Sequence, residues 1–112
     1  MSGDRDLYSG MMRLHILHHA AEGPLFGLGI MEELRRHGYA ASPGTLYPML
    51  HGLERKGYLS SRIVRSGRSA RRVYAITEAG QRALDDARLR VRELFGELIE
   101  GKGPARRRPG RR

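Results

Sequence analysis

Residues 42–57, Ser42-Pro-Gly-Thr-Leu-Tyr-Pro-Met-Leu-His-Gly-Leu-Glu-Arg-Lys-Gly57, read as a short helix with an apolar back and a polar front. Leu46, Met49, Leu50 and Leu53 recur at i, i+3, i+4 and i+7, which puts them on one buried face. Ser42 is a favoured N-cap, and Pro43 suits the first helical position, where its missing N–H is no loss. Thr45, Tyr47, His51 and Arg55 fall outside the apolar stripe. Pro48 forfeits the hydrogen bond to Gly44, so a mild bend or an irregular first turn is expected. Gly57 closes the helix.

Two strands are expected after it, at about Leu59–Val64 and Arg71–Ile76, joined by a tip at Ser66-Gly67-Arg68-Ser69. Leu59, Ser61 and Ile63 alternate on the first strand, and Tyr74 and Ile76 face inward on the second. Thr77 then caps a last helix, in which Leu84, Ala87, Val91, Leu94 and Leu98 fall at spacings of three and four, a coiled-coil-like seam. Phe95 and Ile99 widen that seam, and Gly101 ends it. Upstream, a helix over residues 5–22 carries a stripe of Leu7, Met11, Leu14, Leu17 and Ala21 and a neighbouring strip of Tyr8, Met12 and Ile16. So broad an apolar surface is expected to touch more than its own core. Gly23-Pro24 ends this helix, and a second runs from about Gly27 to His37 with Ile30, Met31 and Leu34 buried.

The chain has 112 residues, one domain's worth, and a net charge of +9. The excess sits in two places. Residues 62–72 hold Arg62, Arg65, Arg68, Arg71 and Arg72, and the tail holds Lys102, Arg106, Arg107, Arg108, Arg111 and Arg112, neither with an acid. The rest carries 10 basic against 12 acidic side chains, so the folded body is ordinary. Acid-free basic patches attract polyanions, nucleic acid first and anionic lipid second; solubility alone is the other reading. With no cysteine there is no disulfide framework and no thiolate metal site. No stretch is apolar for long enough to span a bilayer, and no secretory segment opens the chain, so a cytoplasmic location is expected.

These elements give a mainly α (α+β) fold, a winged helix-turn-helix followed by a C-terminal dimerisation helix. The division expected is 5–77 for the DNA-binding domain, 78–101 for the dimerisation helix and 102–112 for a disordered basic tail. Three segments carry a family resemblance: Ile16-Leu-His-His-Ala-Ala-Glu-Gly-Pro-Leu-Phe-Gly27, Ser42-Pro-Gly-Thr-Leu-Tyr-Pro-Met-Leu-His-Gly-Leu-Glu54 and Val73-Tyr-Ala-Ile-Thr-Glu-Ala-Gly80. Over roughly residues 8–100 the chain resembles the PadR-like transcriptional regulators, in the short form with a single C-terminal helix. The resemblance implies a dimeric repressor on an inverted-repeat operator, released in many relatives by a small, often aromatic ligand. Some ligand-binding short members use a tryptophan on the last helix; this chain has none, and Phe95 is the only large aromatic there.

The physical expectations stand beside it. The start of the third helix offers free N–H groups and the positive dipole end to a phosphate, and Gly44 lets backbone approach backbone. Ser42, Pro43, Gly44, Thr45, Tyr47 and His51, with Arg65, Arg68 and Arg71 of the wing, are the expected DNA-contacting residues. Ser42 has capping as its alternative, and Tyr47 has packing against the second helix or the wing. Arg62 and Arg72 are expected to serve surface pairs, with Glu54 as one partner. The expected dimer interface comprises Leu7, Met11, Leu84, Ala87, Val91, Leu94, Phe95 and Leu98, with an effector cleft lined by Met12, Ile16, Val91 and Phe95.

Catalysis is not expected. There is no nucleophile elbow, phosphate-cradling glycine loop or HExxH, and Gly23, Gly27, Gly29 and Gly38 punctuate helix ends. His15 and His19 lie one turn apart, but no cysteine or obvious carboxylate completes a set, so neither metal nor cofactor is expected. The partners expected are a near-palindromic double-stranded operator, a second copy of the chain and a small-molecule effector, with no membrane. The rival reading is a sequence-neutral, nucleoid-like DNA coater.

Overall fold

A computed structural model describes residues 4–102. Its elements run α1 (Arg5–Glu22), β1 (Leu25–Phe26), α2 (Gly27–Arg36), α3 (Pro43–Arg55), β2 (Leu59–Ser66), β3 (Ser69–Ile76) and α4 (Glu78–Leu98). The three strands form one antiparallel sheet in the order β1-β3-β2. This is the winged helix-turn-helix expected from the sequence, with a long helix appended. Among the described residues no helix is long and apolar enough to cross a membrane. The tail expected to be disordered lies, apart from Lys102, outside the described residues.

One core serves the first three helices, the sheet and the first turns of α4. Ile16, Ile30, Leu34, Leu46, Leu50, Leu59 and Tyr74 are its most enclosed side chains. Each of the stripes read in α2 and α3 is buried as expected. In α1 the core draws on both strips. Met12 and Ile16, with relative exposures of 2% and 0%, join Leu17 and Ala20 in the core, whereas Leu7 and Met11 face outward. Both strips have helical spacing, and periodicity alone does not say which one the tertiary fold selects.

The short strand β1 was not expected. Its two residues pair Leu25 with Tyr74 and Phe26 with Val73, and two residues are too few to show an alternating pattern. The hairpin is longer than expected: β2 and β3 run on to Ser66 and Ser69, leaving only Gly67 and Arg68 in the loop. Gly67 alone has positive φ (60°), the pattern of a type II′ turn with glycine first. Beyond the Arg62–Val73 pair the hairpin leaves the body, so Ile63, expected inward, is exposed.

Helix α4 is locked at its start. Thr77 accepts from the Gly80 amide at 2.9 Å, and its own amide and hydroxyl donate to the Tyr58 and Gly57 carbonyls at 3.0 and 2.5 Å. A Cβ on Gly80 would lie 2.1 Å from the Tyr58 carbonyl oxygen, so only glycine permits this approach. The helix ends at Leu98, three residues short of the expected boundary. Lys102 donates its amide to the Gly96 carbonyl and Gly101 takes a φ of 70°, which closes the turn there.

Candidate nucleic-acid interface

The start of α3 is open. Ser42 occupies the N-cap position, but its side chain makes no capping bond; its Oγ instead lies 3.3 Å from Thr45 Oγ1. The capping alternative for Ser42 is therefore not what the structure adopts. By contrast Asp4 and Thr77 both cap their helices. Thr45 and Leu46 turn their amides back to the Ser42 carbonyl, at 3.0 and 2.8 Å, and Ser42, Pro43 and Gly44 are exposed. An uncapped helix start with small exposed residues concentrates positive partial charge where a phosphate can reach it.

Thr45 differs from its neighbours. It is buried, so its hydroxyl belongs to the helix's inner edge with Ser42 rather than to the exposed front. The outward face is formed by Gly44, Tyr47, Pro48, His51 and Arg55. Pro48 is accommodated inside the helix, which runs unbroken from Pro43 to Arg55. Tyr47 takes the packing alternative against α2 while keeping an exposed edge. Its hydroxyl end rests against Gly27, where an added Cβ would lie 2.7 Å from the oxygen, yet the residue remains 37% exposed. His51 is exposed one turn on, its ring centroid 6.5 Å from that of Tyr47.

The hairpin register divides the arginines between two faces. Arg65 pairs with Ala70 and Arg71 with Val64, so Arg65 and Arg71 project from opposite faces, and Arg68 sits in the loop. Arg71 is fixed over the Phe26 ring, 5.1 Å from its centroid, an anchor invisible without β1. Arg72 donates to Ser61 Oγ at 3.0 Å, and Ser61 donates to Glu54 at 2.5 Å. The expected link to Glu54 thus runs through a serine, tying the base of the wing to α3. Beneath it, burial first and then the Glu54 carboxylate push the Tyr74 hydroxyl above its ordinary value, against the opposing influence of Arg72. Tyr74 stays a neutral core residue.

On the far side, α1 and α4 enclose a groove of about 570 Å³ lined by Met11, Leu14, His15, His18, Leu84, Ala87, Arg88, Val91, Arg92 and Phe95. Val91 and Phe95 stand where the effector cleft was expected. Met12 and Ile16 do not line it: they are core residues, and Met11, Leu14 and His15 form the α1 wall instead. Of the expected interface, Leu84 is buried within the chain, while Leu7, Met11, Val91, Leu94, Phe95 and Leu98 are exposed; Leu98 is 71% exposed.

A histidine cluster adjoins this groove. His37, the residue after α2, stacks on His15 with centroids 4.5 Å apart and on His19 at 5.5 Å. Sequence spacing gave only the pair on α1; His37 arrives through the packing of α2. Burial first, then His37, His19 and His18, hold His15 below the ordinary imidazole value.

Comparison with known proteins agrees with this architecture. The description "Transcriptional regulator PadR-like family" matches residues 16–86. The transcriptional regulator Rv3488 of Mycobacterium tuberculosis is 50% identical over 99 residues, covering 88% of this chain and 92% of the relative. A PadR family transcriptional regulator from Eggerthella lenta superposes with a TM-score of 0.74 at 29% identity, covering 87% and 88% of the two chains. The fold is also that of Bacillus subtilis PadR, solved in complex with operator DNA, with a TM-score of 0.62 at 24% identity over 68% of this chain and 45% of that one. With the helix-turn-helix, the wing and the long last helix in place, the chain belongs to the PadR-like family of transcriptional regulators, a family of regulators and not of enzymes.

Proposed function

We propose that this protein is a homodimeric, sequence-specific DNA-binding repressor whose grip on an operator is relieved by a small molecule. The observation that carries the DNA reading is the open start of α3, uncapped and exposed beside an arginine-bearing hairpin. The Gly44 amide at the positive end of the helix and the Ser42 hydroxyl hold phosphate, the missing Cβ of Gly44 permits close approach, and Tyr47 and His51 reach base edges in the major groove. Arg68 and Arg65 reach the flanking backbone, and Arg71 acts from its seat over Phe26. Bacillus subtilis PadR, of the same fold, is solved on operator DNA.

Dimerisation follows from what α4 leaves uncovered. Leu94, Phe95, Leu98 and Ile99 form an exposed apolar run beside Leu7 and Met11 of α1. Burying a leucine-sized side chain is worth roughly 1.5–3 kcal/mol, so a second copy covering this surface gains several such terms. Two-fold pairing then brings two α3 helices to grooves about one turn of DNA (~34 Å) apart. The effector enters the α1–α4 groove, whose walls are apolar apart from His15, His18, Arg88 and Arg92.

The rival reading, sequence-neutral coating, draws on the concentration of excess charge in the hairpin and tail. Competition binding separates the two. Affinity for the gene's own upstream duplex should exceed that for a shuffled duplex by at least ~10³-fold at physiological salt, whereas a coater binds both alike.

A further inference from the structure

We propose that His15, His19 and His37 form a binding site for one borderline divalent transition-metal ion, zinc or its neighbours cobalt, nickel and copper. The inference is independent of the DNA-binding reading. One nitrogen from each of the three residues lies within 4.8 Å of the others. Imidazole suits these ions, and ligand nitrogens ~2.0–2.1 Å from a zinc lie roughly 3.3 Å apart, so only a small contraction is needed. His37 sits at the end of α2 and is exposed, which leaves it free to make that movement.

His19 supplies the decisive detail. An ionised carboxylate only accepts hydrogen bonds, so the 3.2 Å contact from His19 Nδ1 to Glu22 Oε1 places a proton on Nδ1. In the neutral imidazole Nε2 is then a bare lone pair. That atom is buried and, among the described residues, has no hydrogen-bond partner, on a side chain only 12% exposed. Buried polar atoms without partners are costly and uncommon in native folds. A metal ion satisfies this one, and a carboxylate on the opposite ring nitrogen is the usual support for a ligating histidine. The nearest anion, Glu33, is 3.7 Å from Nε2 and is held by Arg36 at 2.9 Å; water or Glu33 completes the coordination.

The ion would tie α1 to the connection that leads into α3, giving it a hold on the helix-turn-helix. A second set, His18, His19 and Glu22, shares His19 but lies on α1 alone, so variants distinguish the two.

The test is titration of the full chain, free of any polyhistidine tag, with Co²⁺ and Zn²⁺, read by visible absorption and equilibrium dialysis. The expected result is one ion per chain, with cobalt bands that zinc displaces. His37→Ala and His19→Ala should abolish binding, and circular dichroism should show His37→Ala still folded. His18→Ala should leave the stoichiometry unchanged, and Glu22→Gln should weaken affinity about 10–100-fold without abolishing it. No bound ion, binding indifferent to His37→Ala, or loss on His18→Ala overturns the assignment.

Discussion

Helices α3 and α4 are built in opposite senses. The apolar face of α3 is wholly used by the chain's own core, and its start is left open. The start of α4 is sealed by Thr77 and by Gly80 against Tyr58, while its later apolar face is left uncovered. An open helix start attracts an anion; an open apolar face attracts another apolar face. The same small fold therefore presents two unlike surfaces at two places, an open helix start and an open apolar face. Confusing them would mistake a structural cap for a contact, or a docking face for a core.

The largest effect should come from the uncovered face of α4. Val91→Asp places a charge in the proposed seam, and sedimentation at low micromolar concentration should show monomer, with operator affinity lost in parallel. Leu94→Ala should cost the dimer ~2–5 kcal/mol if the side chain is fully buried there. A Val91→Asp protein that stays dimeric would remove this face from the interface.

Next comes the sealed start of α4. Gly80→Ala forces a Cβ against backbone that cannot give way, and overpacking of this kind costs ~1–3 kcal/mol or more. Each kilocalorie lowers the melting temperature of a domain this size by ~4–8 °C, readable by circular dichroism. An unchanged melting temperature would mean that α4 is not anchored at Tyr58.

A smaller but sharper contrast sets the two helix starts side by side. Thr77→Ala should cost ~0.5–2 kcal/mol of folding stability, as loss of a working cap does. Ser42→Ala should change stability by less than ~0.5 kcal/mol while weakening DNA binding. Equal destabilisation by both would make Ser42 a structural residue after all.

The smallest expected change belongs to the wing tip. Arg68→Ala should weaken binding to all duplexes alike and reduce the slope of log affinity against log salt by about one unit. A slope left as it was would take Arg68 off the phosphate backbone.

The buried face of α3 is written in its own residues, and what packs against that helix from elsewhere is not. The stripe Leu46, Met49, Leu50 and Leu53 was legible because one period admits one buried face. In α1 two strips satisfied the same period, and the choice of Met12 and Ile16 over Leu7 and Met11 was made by the elements packing against it. The pair at β1 exists only through its register with β3, so the seat of Arg71 on Phe26 was hidden with it. His37 lies eighteen residues from His19, and no local pattern connects them. Contacts within an element are written in its spacing; contacts between elements are written in the packing.

The most direct test of the central claim is a footprint of the purified protein on its own upstream DNA, compared with that of Val91→Asp. The account predicts a bounded, near-palindromic window with two protected half-sites about one helical turn (~10 bp) apart, absent for the variant at the same concentration. Even protection along the whole duplex, or an undiminished footprint from a monomeric variant, would contradict it.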